Sequence, residues 1–119
     1  MALSRGNLGP IQNVPVSGGA VGILTVASNK NIYVKSIIVH GGAAGGIGTA
    51  QAHIHVCPNG VSPSAATRMF LVNLAAEETV LIEPSYPLVL DTTGDALYVG
   101  NSATTNGALN FIVTGDKEA

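Results

Sequence analysis

Residues 50–57 read Ala-Gln-Ala-His-Ile-His-Val-Cys, and the fold class can be inferred outward from this pattern. Its alternate positions form two sets of side chains. The apolar set is Ala50, Ala52, Ile54 and Val56, and the other set is Gln51, His53, His55 and Cys57. A period of two places such sets on opposite faces of a β-strand, whereas a helix repeats every 3.6 residues. The pattern predicts a strand with one face turned to a core.

Short runs rich in Val, Ile, Leu and Thr fill the chain on both sides of this stretch. We predict strands at Val21–Ala27, Ile32–His40, Ala50–Cys57, Arg68–Leu74, Thr79–Glu83, Leu88–Leu90, Ala96–Gly100 and Ala108–Gly115. Turn residues separate them about every ten residues, which is typical of antiparallel sandwiches and barrels. Parallel βαβ units need helical crossovers, for which the separators leave no room. The prediction is an all-β fold, an antiparallel, jelly-roll-like β-sandwich of seven to nine short strands.

Composition sets limits on size and on partners. The 119 residues suit one domain, and 46% hydrophobic residues with only 10% charged residues exclude intrinsic disorder. The five basic residues are scattered and the net charge is −2, so strong non-specific binding to nucleic acid is not expected. No apolar run approaches the roughly 18 residues of a membrane helix. We therefore predict neither nucleic acid nor membrane as a partner.

The first residues of the chain differ in character from the rest. Residues 1–18 are predicted to form an extended N-terminal segment, and residues 19–119 the β-sandwich domain. Gly and Pro in this segment disfavour helix and suit an extended path. Its apolar residues would serve as anchors against a neighbouring subunit: Leu3, Leu8, Ile11 and Val14.

Several predicted strands are apolar on both faces. In Ile32–His40, one face would carry Ile32, Val34 and Ile38, and the other Tyr33, Ile37 and Val39. Val80-Leu81-Ile82, Leu88-Val89-Leu90 and Phe111-Ile112-Val113 show no polar face either. A strand that is apolar on both faces needs other residues packed on both sides of its sheet. A single sandwich has one core and covers only one side of each sheet. We therefore expect a homo-oligomer, with Tyr33, Ile37 and Val39 joining the four N-terminal anchors as interface residues.

The pair His53-Ile54-His55 is the candidate chemical site. Two histidines at i and i+2 on a strand face the same way and can share a metal, as in cupins, with His40 or Cys57 as a third ligand. The cupin pattern also needs a Glu soon after the second His and a distant further His, and neither occurs here. We expect two neighbouring imidazoles on a sheet face, no cofactor, and a metal site at His53 and His55 only as the weaker alternative.

Other catalytic patterns are weaker still. Asp91 and Asp95 flank Thr-Thr-Gly, which is typical of a turn in which Asp accepts backbone N–H groups. No serine lies in a G-x-S-x-G elbow. The sequence therefore predicts a protein that is not an enzyme.

The second half of the chain contains motifs that resemble a known group of proteins. These are Glu78-Thr79-Val80-Leu81-Ile82-Glu83, Pro87-Leu88-Val89-Leu90, Gly94-Asp95-Ala96-Leu97-Tyr98-Val99 and Leu109-Asn110-Phe111-Ile112-Val113-Thr114-Gly115, preceded by Ile32-Tyr33-Val34-Lys35-Ser36-Ile37-Ile38-Val39. Over about residues 30–115 the chain resembles small β-sandwich virion proteins of tailed bacteriophages. The resemblance implies a subunit that decorates or cements a capsid, or one that belongs to the tail and its adhesion apparatus.

Three functions remain open on the sequence. The first is a non-enzymatic capsid decoration or cement subunit, located in the virion after assembly in the host cytoplasm, with itself and the major capsid protein as partners. The second is a tail or adhesin module that binds host-surface glycan through the loops Gly41–Gly48 or Asn101–Gly107. The third is a small metal-dependent β-barrel enzyme built on His53 and His55. We expect the first.

Overall fold

The computed structural model describes residues 3–14, 20–28, 30–41, 50–75, 77–101 and 108–118, and these form ten β-strands. They are β1 (Leu3–Asn7), β2 (Gln12–Val14), β3 (Val21–Thr25), β4 (Ile32–Gly41), β5 (Ala50–Cys57), β6 (Arg68–Leu74), β7 (Thr79–Ile82), β8 (Leu88–Leu90), β9 (Ala96–Asn101) and β10 (Leu109–Glu118). All strand pairs are antiparallel. The all-β prediction is confirmed. No helix among the described residues is long and apolar enough to cross a membrane.

The strands form two sheets with the order of a jelly roll. Sheet I has the order β1-β10-β4-β7, with β2 also paired to β10 and β8 also paired to β4. Sheet II has the order β3-β9-β5-β6. Since β1 and β2 share one edge of sheet I and β7 and β8 share the other, each sheet is four strands wide. The chain stays within one sheet at β1–β2, β5–β6 and β7–β8 and crosses between the sheets at all remaining steps, as in the double-sheet jelly roll.

The strand count of ten exceeds the predicted seven to nine because β1 and β2 form in the N-terminal segment, where no strand was predicted. Both edges of sheet I are divided. Residues Leu8–Ile11 separate β1 from β2, and residues Glu83–Pro87 separate β7 from β8. Pro84 and Pro87 have no backbone N–H and cannot donate to a strand ladder, which explains the second break.

A β-bulge in β4 corrects the expected arrangement of its side chains. Val34 pairs with Gly115 and Ser36 pairs with Thr114, so Lys35 is the extra residue in this strand. A bulge changes which face the following residues occupy. Consequently Ile37 and Val39 point into the same core as Val34, and all three are fully buried. The predicted apolar second face of β4 is reduced to Tyr33 and Ile38, which lie on the outer side of sheet I and are half-buried.

The N-terminal strands belong to the same sandwich. β1 pairs with β10 from Leu3 opposite Glu118 to Asn7 opposite Thr114, and β2 pairs with β10 beyond it. Leu8 and Val14 are members of the hydrophobic core. Residues 3–14 therefore contribute the two strands at one edge of sheet I.

Candidate functional site

The strand β5 places the predicted metal pair on the outer face of sheet II. Its inward residues Ala50, Ala52 and Ile54 are buried in the core, which confirms the predicted alternation. On the outer face His53 lies opposite Leu71 of β6, and His55 lies opposite Arg68. These outward-facing side chains and their neighbours define the imidazole face: Gln51, His53, His55, Thr67, Arg68, Leu71, Asn73 and Tyr98.

The two imidazoles are neighbours with separate hydrogen-bond partners. Their ring centroids are 5.9 Å apart and their planes are inclined by 42°. Nδ1 of His55 lies 3.1 Å from Oγ1 of Thr67, in the turn that precedes β6, and His55 is only 6% exposed. Nε2 of His53 lies 3.4 Å from Oε1 of Gln51. Both rings are therefore oriented by side chains of the imidazole face itself.

The surroundings of both imidazoles favour their neutral forms. Burial is the main cause that lowers the pKa of His53, and Arg68 and His55 lower it further. Burial also lowers the pKa of His55, and Arg68 acts in the same direction against a hydrogen bond to the Ser64 backbone that raises it. Neutral imidazoles are the metal-binding form, but the adjacent guanidinium repels a cation as well as a proton.

The structure does not bring a third ligand to this pair. His40 is on β4 in the other sheet, where its Nδ1 lies 2.7 Å from Oγ1 of Thr79. Cys57 shares the outer side of β5 but is 1% exposed. Across the described ranges, no three His, Cys, Asp or Glu side chains are grouped so that they could hold a metal ion.

The seven predicted interface residues fall into two groups. Four have their side chains inside this chain's own core, which corrects the expectation, because buried side chains offer no surface to a partner: Leu8, Val14, Ile37 and Val39. The other three reach the surface. Leu3 is 47% exposed on β1, Ile11 is 63% exposed before β2, and Tyr33 is half-buried on the outer side of β4.

A different set of residues gives sheet I an apolar outer face. Ile112 of β10, Ile38 of β4 and Leu81 of β7 lie side by side in register across three strands. Leu81 is 56% exposed, and Val89 of β8 is 49% exposed beside Tyr33. We call these five residues the apolar face. The hydrogen-bonded pair Ser36 and Thr114 lies across it, between the row of Ile38 and the pair Tyr33 and Val89. The expectation that the strands containing Leu81, Val89 and Ile112 are apolar on both sides is confirmed for these outward side chains.

One end of the apolar face carries an ion-pair network. Asp116 of β10 has its side chain 8% exposed, with Oδ2 at 2.7 Å from Nζ of Lys35 and Oδ1 at 3.5 Å from Nε of Arg5. Lys35 is the bulged residue of β4, so the bulge directs its ammonium group toward this carboxylate. One carboxylate is therefore shared by two cations at this end of the face.

The predicted turn at Asp91–Asp95 is confirmed. Asp95 accepts hydrogen bonds from the backbone N–H groups of Thr92, through Oδ2 at 3.1 Å, and of Asn59, through Oδ1 at 3.2 Å. The loops proposed to bind glycan fall almost wholly on residues 42–49 and 102–107, which lie outside the described residues.

Comparisons with protein-family models, curated proteins and solved structures give no match.

Proposed function

We propose that this chain is a non-enzymatic structural subunit that associates with copies of itself and with the major capsid protein of a tailed-phage particle, as a decoration or cement protein. The observation that carries the proposal is the apolar face of sheet I. A sandwich normally turns polar residues outward on each strand, yet here three neighbouring strands present Ile112, Ile38 and Leu81 to solvent. An exposed apolar patch is typical of an interaction surface.

Two further features support association through this face. In the Lys35–Asp116–Arg5 network one carboxylate is shared by two cations, so part of the charge beside this face is compensated within the chain. The jelly roll is also an architecture of viral capsid domains, although the same architecture occurs in lectins and cupins. The phage particle itself enters from the resemblance of residues 30–115, which supports the choice of partner.

Self-association is tested by sedimentation equilibrium of the 12.0 kDa chain over a micromolar dilution series. We expect a mass above that of the monomer. The double variant Leu81→Lys/Val89→Lys should shift the chain to monomer, since it places two charges in the apolar face. The matched control is Met69→Lys/Leu71→Lys, because these residues of β6 are 59% and 49% exposed but lie on sheet II. A monomer mass at every concentration, or equal loss in both variants, contradicts the proposal.

Particle binding requires a separate test. Shells assembled from the major capsid protein alone should take up the added chain, sediment with it, and break at a higher temperature. The Leu81→Lys/Val89→Lys variant should bind less, and the sheet II control should bind as the parent chain does. Shells that neither bind the chain nor gain stability would contradict the decoration role, even if the chain oligomerises.

A further inference from the structure

The edge of sheet I contains a notch where β7 ends and β8 has not yet begun. β4 pairs with β8 up to Val34 and with β7 from Ile37 onward, so residues 35 and 36 lie between the two ladders. The chain leaves the sheet there, and an open cavity of about 360 Å³ lies between β4 and the departing residues. We call this cavity the edge notch, and its walls are Lys35, Ser36, Glu83, Pro84, Ser85 and Pro87.

The walls of the edge notch offer surface to a partner. None of the six wall residues is buried, and three of them belong to the exposed part of the loop. The ammonium group of Lys35 is already paired with Asp116 and is not needed as a binding group. A cavity of about 150 Å³ accepts benzene, so the notch has room for one phenol ring.

Tyr86 lies in the same loop and is 84% exposed, more than any other large apolar side chain of the described residues. It does not line the notch of its own chain. Pro87 restricts the backbone of Tyr86, which precedes it, and Pro84 fixes a second φ angle in the loop. An aromatic side chain on a restricted backbone loses little conformational entropy when it binds. Tyrosine is also enriched among the residues that contribute most to protein interfaces.

The edge notch adjoins the apolar face. Leu81 precedes Glu83 by two positions and Val89 follows Pro87 by two, and these apolar side chains are 56% and 49% exposed. A molecule seated on the loop can therefore also cover Leu81 and Val89, which extends the contact beyond a single ring.

We propose that a second copy of this chain covers the edge notch, and that each copy inserts Tyr86 into the notch of the other. In a two-fold dimer, a residue and the surface that it contacts both occur twice. Tyr86 and the notch are neighbours on one loop, so a two-fold axis beside this loop brings each ring to the notch of the partner. The inference rests on the self-association proposed above and names the side chain that holds it.

The first test is sedimentation equilibrium of the full chain. Tyr86→Ala should lower the association constant at least about thirty-fold, because each dimer loses two inserted rings. Met69→Ala is the matched control, since Met69 is 59% exposed on sheet II, and it should associate as the parent chain does. Equal association of Tyr86→Ala and the parent overturns this inference and leaves self-association intact. A parent chain that is monomeric at every concentration overturns both.

A mixing experiment tests the reciprocity. Glu83→Trp adds a large ring at an exposed wall position, so it should fill the notch and weaken self-association while Tyr86 is kept. In a mixture, the Glu83→Trp copy can still insert Tyr86 into the intact notch of the Tyr86→Ala copy. The mixed pair should therefore associate at least about ten-fold more tightly than either variant alone, measured with one variant carrying a fluorophore. No gain on mixing overturns the reciprocal contact.

Photo-crosslinking tests the location without a destabilising change, and it decides if Glu83→Trp does not fold. The chain with p-benzoylphenylalanine at position 86 is mixed as isotope-labelled and unlabelled copies, irradiated, and mapped by mass spectrometry. Crosslinks between a labelled and an unlabelled copy should join position 86 to residues 35–36 or 83–85. Crosslinks to sheet II, or none between copies, overturn the assignment.

Discussion

Gly115 of β10 lies directly opposite the bulge in β4. A Cβ atom at this position would overlap the backbone carbonyl oxygen of Tyr33 and lie 3.0 Å from the backbone nitrogen of Lys35. Both are main-chain atoms of a central strand, which cannot move aside as a flexible side chain can. The close approach of β10 to the bulge therefore depends on the missing side chain at Gly115.

The first prediction concerns this contact. Gly115→Ala should lower the free energy of unfolding by about 3 kcal/mol, since the added methyl group forces the two central strands of sheet I apart. Chemical denaturation measures the change. Gly60→Ala is the matched control: Gly60 has φ of +80° but no atom within 4 Å of the added Cβ, so it should cost only about 1 kcal/mol. A smaller loss at Gly115 than at Gly60 would contradict the packing argument.

The second prediction concerns pH. The pKa values of His53 and His55 are lowered in the folded chain from the ordinary 6.5. As the pH falls below 6.5, the unfolded chain binds protons on these rings before the folded chain does, so the free energy of unfolding should decrease. The decrease between about pH 7.5 and pH 5.5 should be smaller in His53→Gln/His55→Gln. An unchanged slope in this variant would show that other groups cause the pH dependence.

Features that depend on residues a few positions apart in the chain could be predicted from the sequence. The alternation of residues 50–57 and the turn at Asp95 follow from side chains a few positions apart, and both are confirmed. The burial of Ile37 and Val39 could not be predicted, because the extra residue at Lys35 is set by pairing with β10, about eighty residues away. A bulge in the middle of an apolar run leaves no signal in hydrophobic periodicity alone.

At the level of elements, every strand predicted from the sequence occurs, with boundaries shifted by a few residues. β1 and β2 were missed. Leu3–Asn7 reads Leu-Ser-Arg-Gly-Asn, which contains no β-branched or aromatic residue and includes Gly6 at φ +124°. Such residues have low strand propensity, so β1 is held by its pairing with β10 and not by local preference.

The third prediction distinguishes the buried N-terminal side chains, which pack in the core, from the exposed ones. Leu8→Ala and Val14→Ala should each lower the free energy of unfolding by about 2–4 kcal/mol, because both side chains are at most 4% exposed in the core. Leu3→Ala and Ile11→Ala are the controls on the same segment. These two variants should change the free energy of unfolding by less than about 0.5 kcal/mol, since the side chains are 47% and 63% exposed. Equal effects at all four positions would contradict the packing described for β1 and β2.

For the whole molecule, the fourth prediction is that association depends little on salt. Only 10% of residues are charged, and the carboxylate beside the apolar face is already paired with two cations of the same chain. Raising sodium chloride from about 0.05 to 0.5 M should therefore change the association constant by less than about three-fold. Sedimentation at the two salt concentrations measures it. A decrease of ten-fold or more would indicate that charges between subunits hold the oligomer together.

The jelly-roll class could be predicted from the spacing of strands and turns, whereas the functional surfaces could be predicted only in part. The strands of Leu81, Val89 and Ile112 were predicted to be apolar on both faces, but which of their side chains lie outward was not predicted. The ion pair of Lys35 and Asp116 beside that face was not predicted, since these residues are 81 positions apart in the chain and meet only when β10 pairs with β4.

The interruptions at both edges of sheet I also decide what kind of aggregate the protein avoids. Fibrils grow when a long, straight strand edge accepts the edge of the next molecule, and each addition exposes a new acceptor. Here one edge turns away at Leu8–Ile11 and the other at Glu83–Pro87, so neither offers more than five consecutive strand residues. In this way a highly apolar chain avoids polymerising along the edges of sheet I. At the edge of sheet II, β6 has seven residues, and the bulge at Met69 interrupts its straight edge. The protein can still associate through the flat faces of its sheets, and this association stops once each face is covered by a neighbouring molecule.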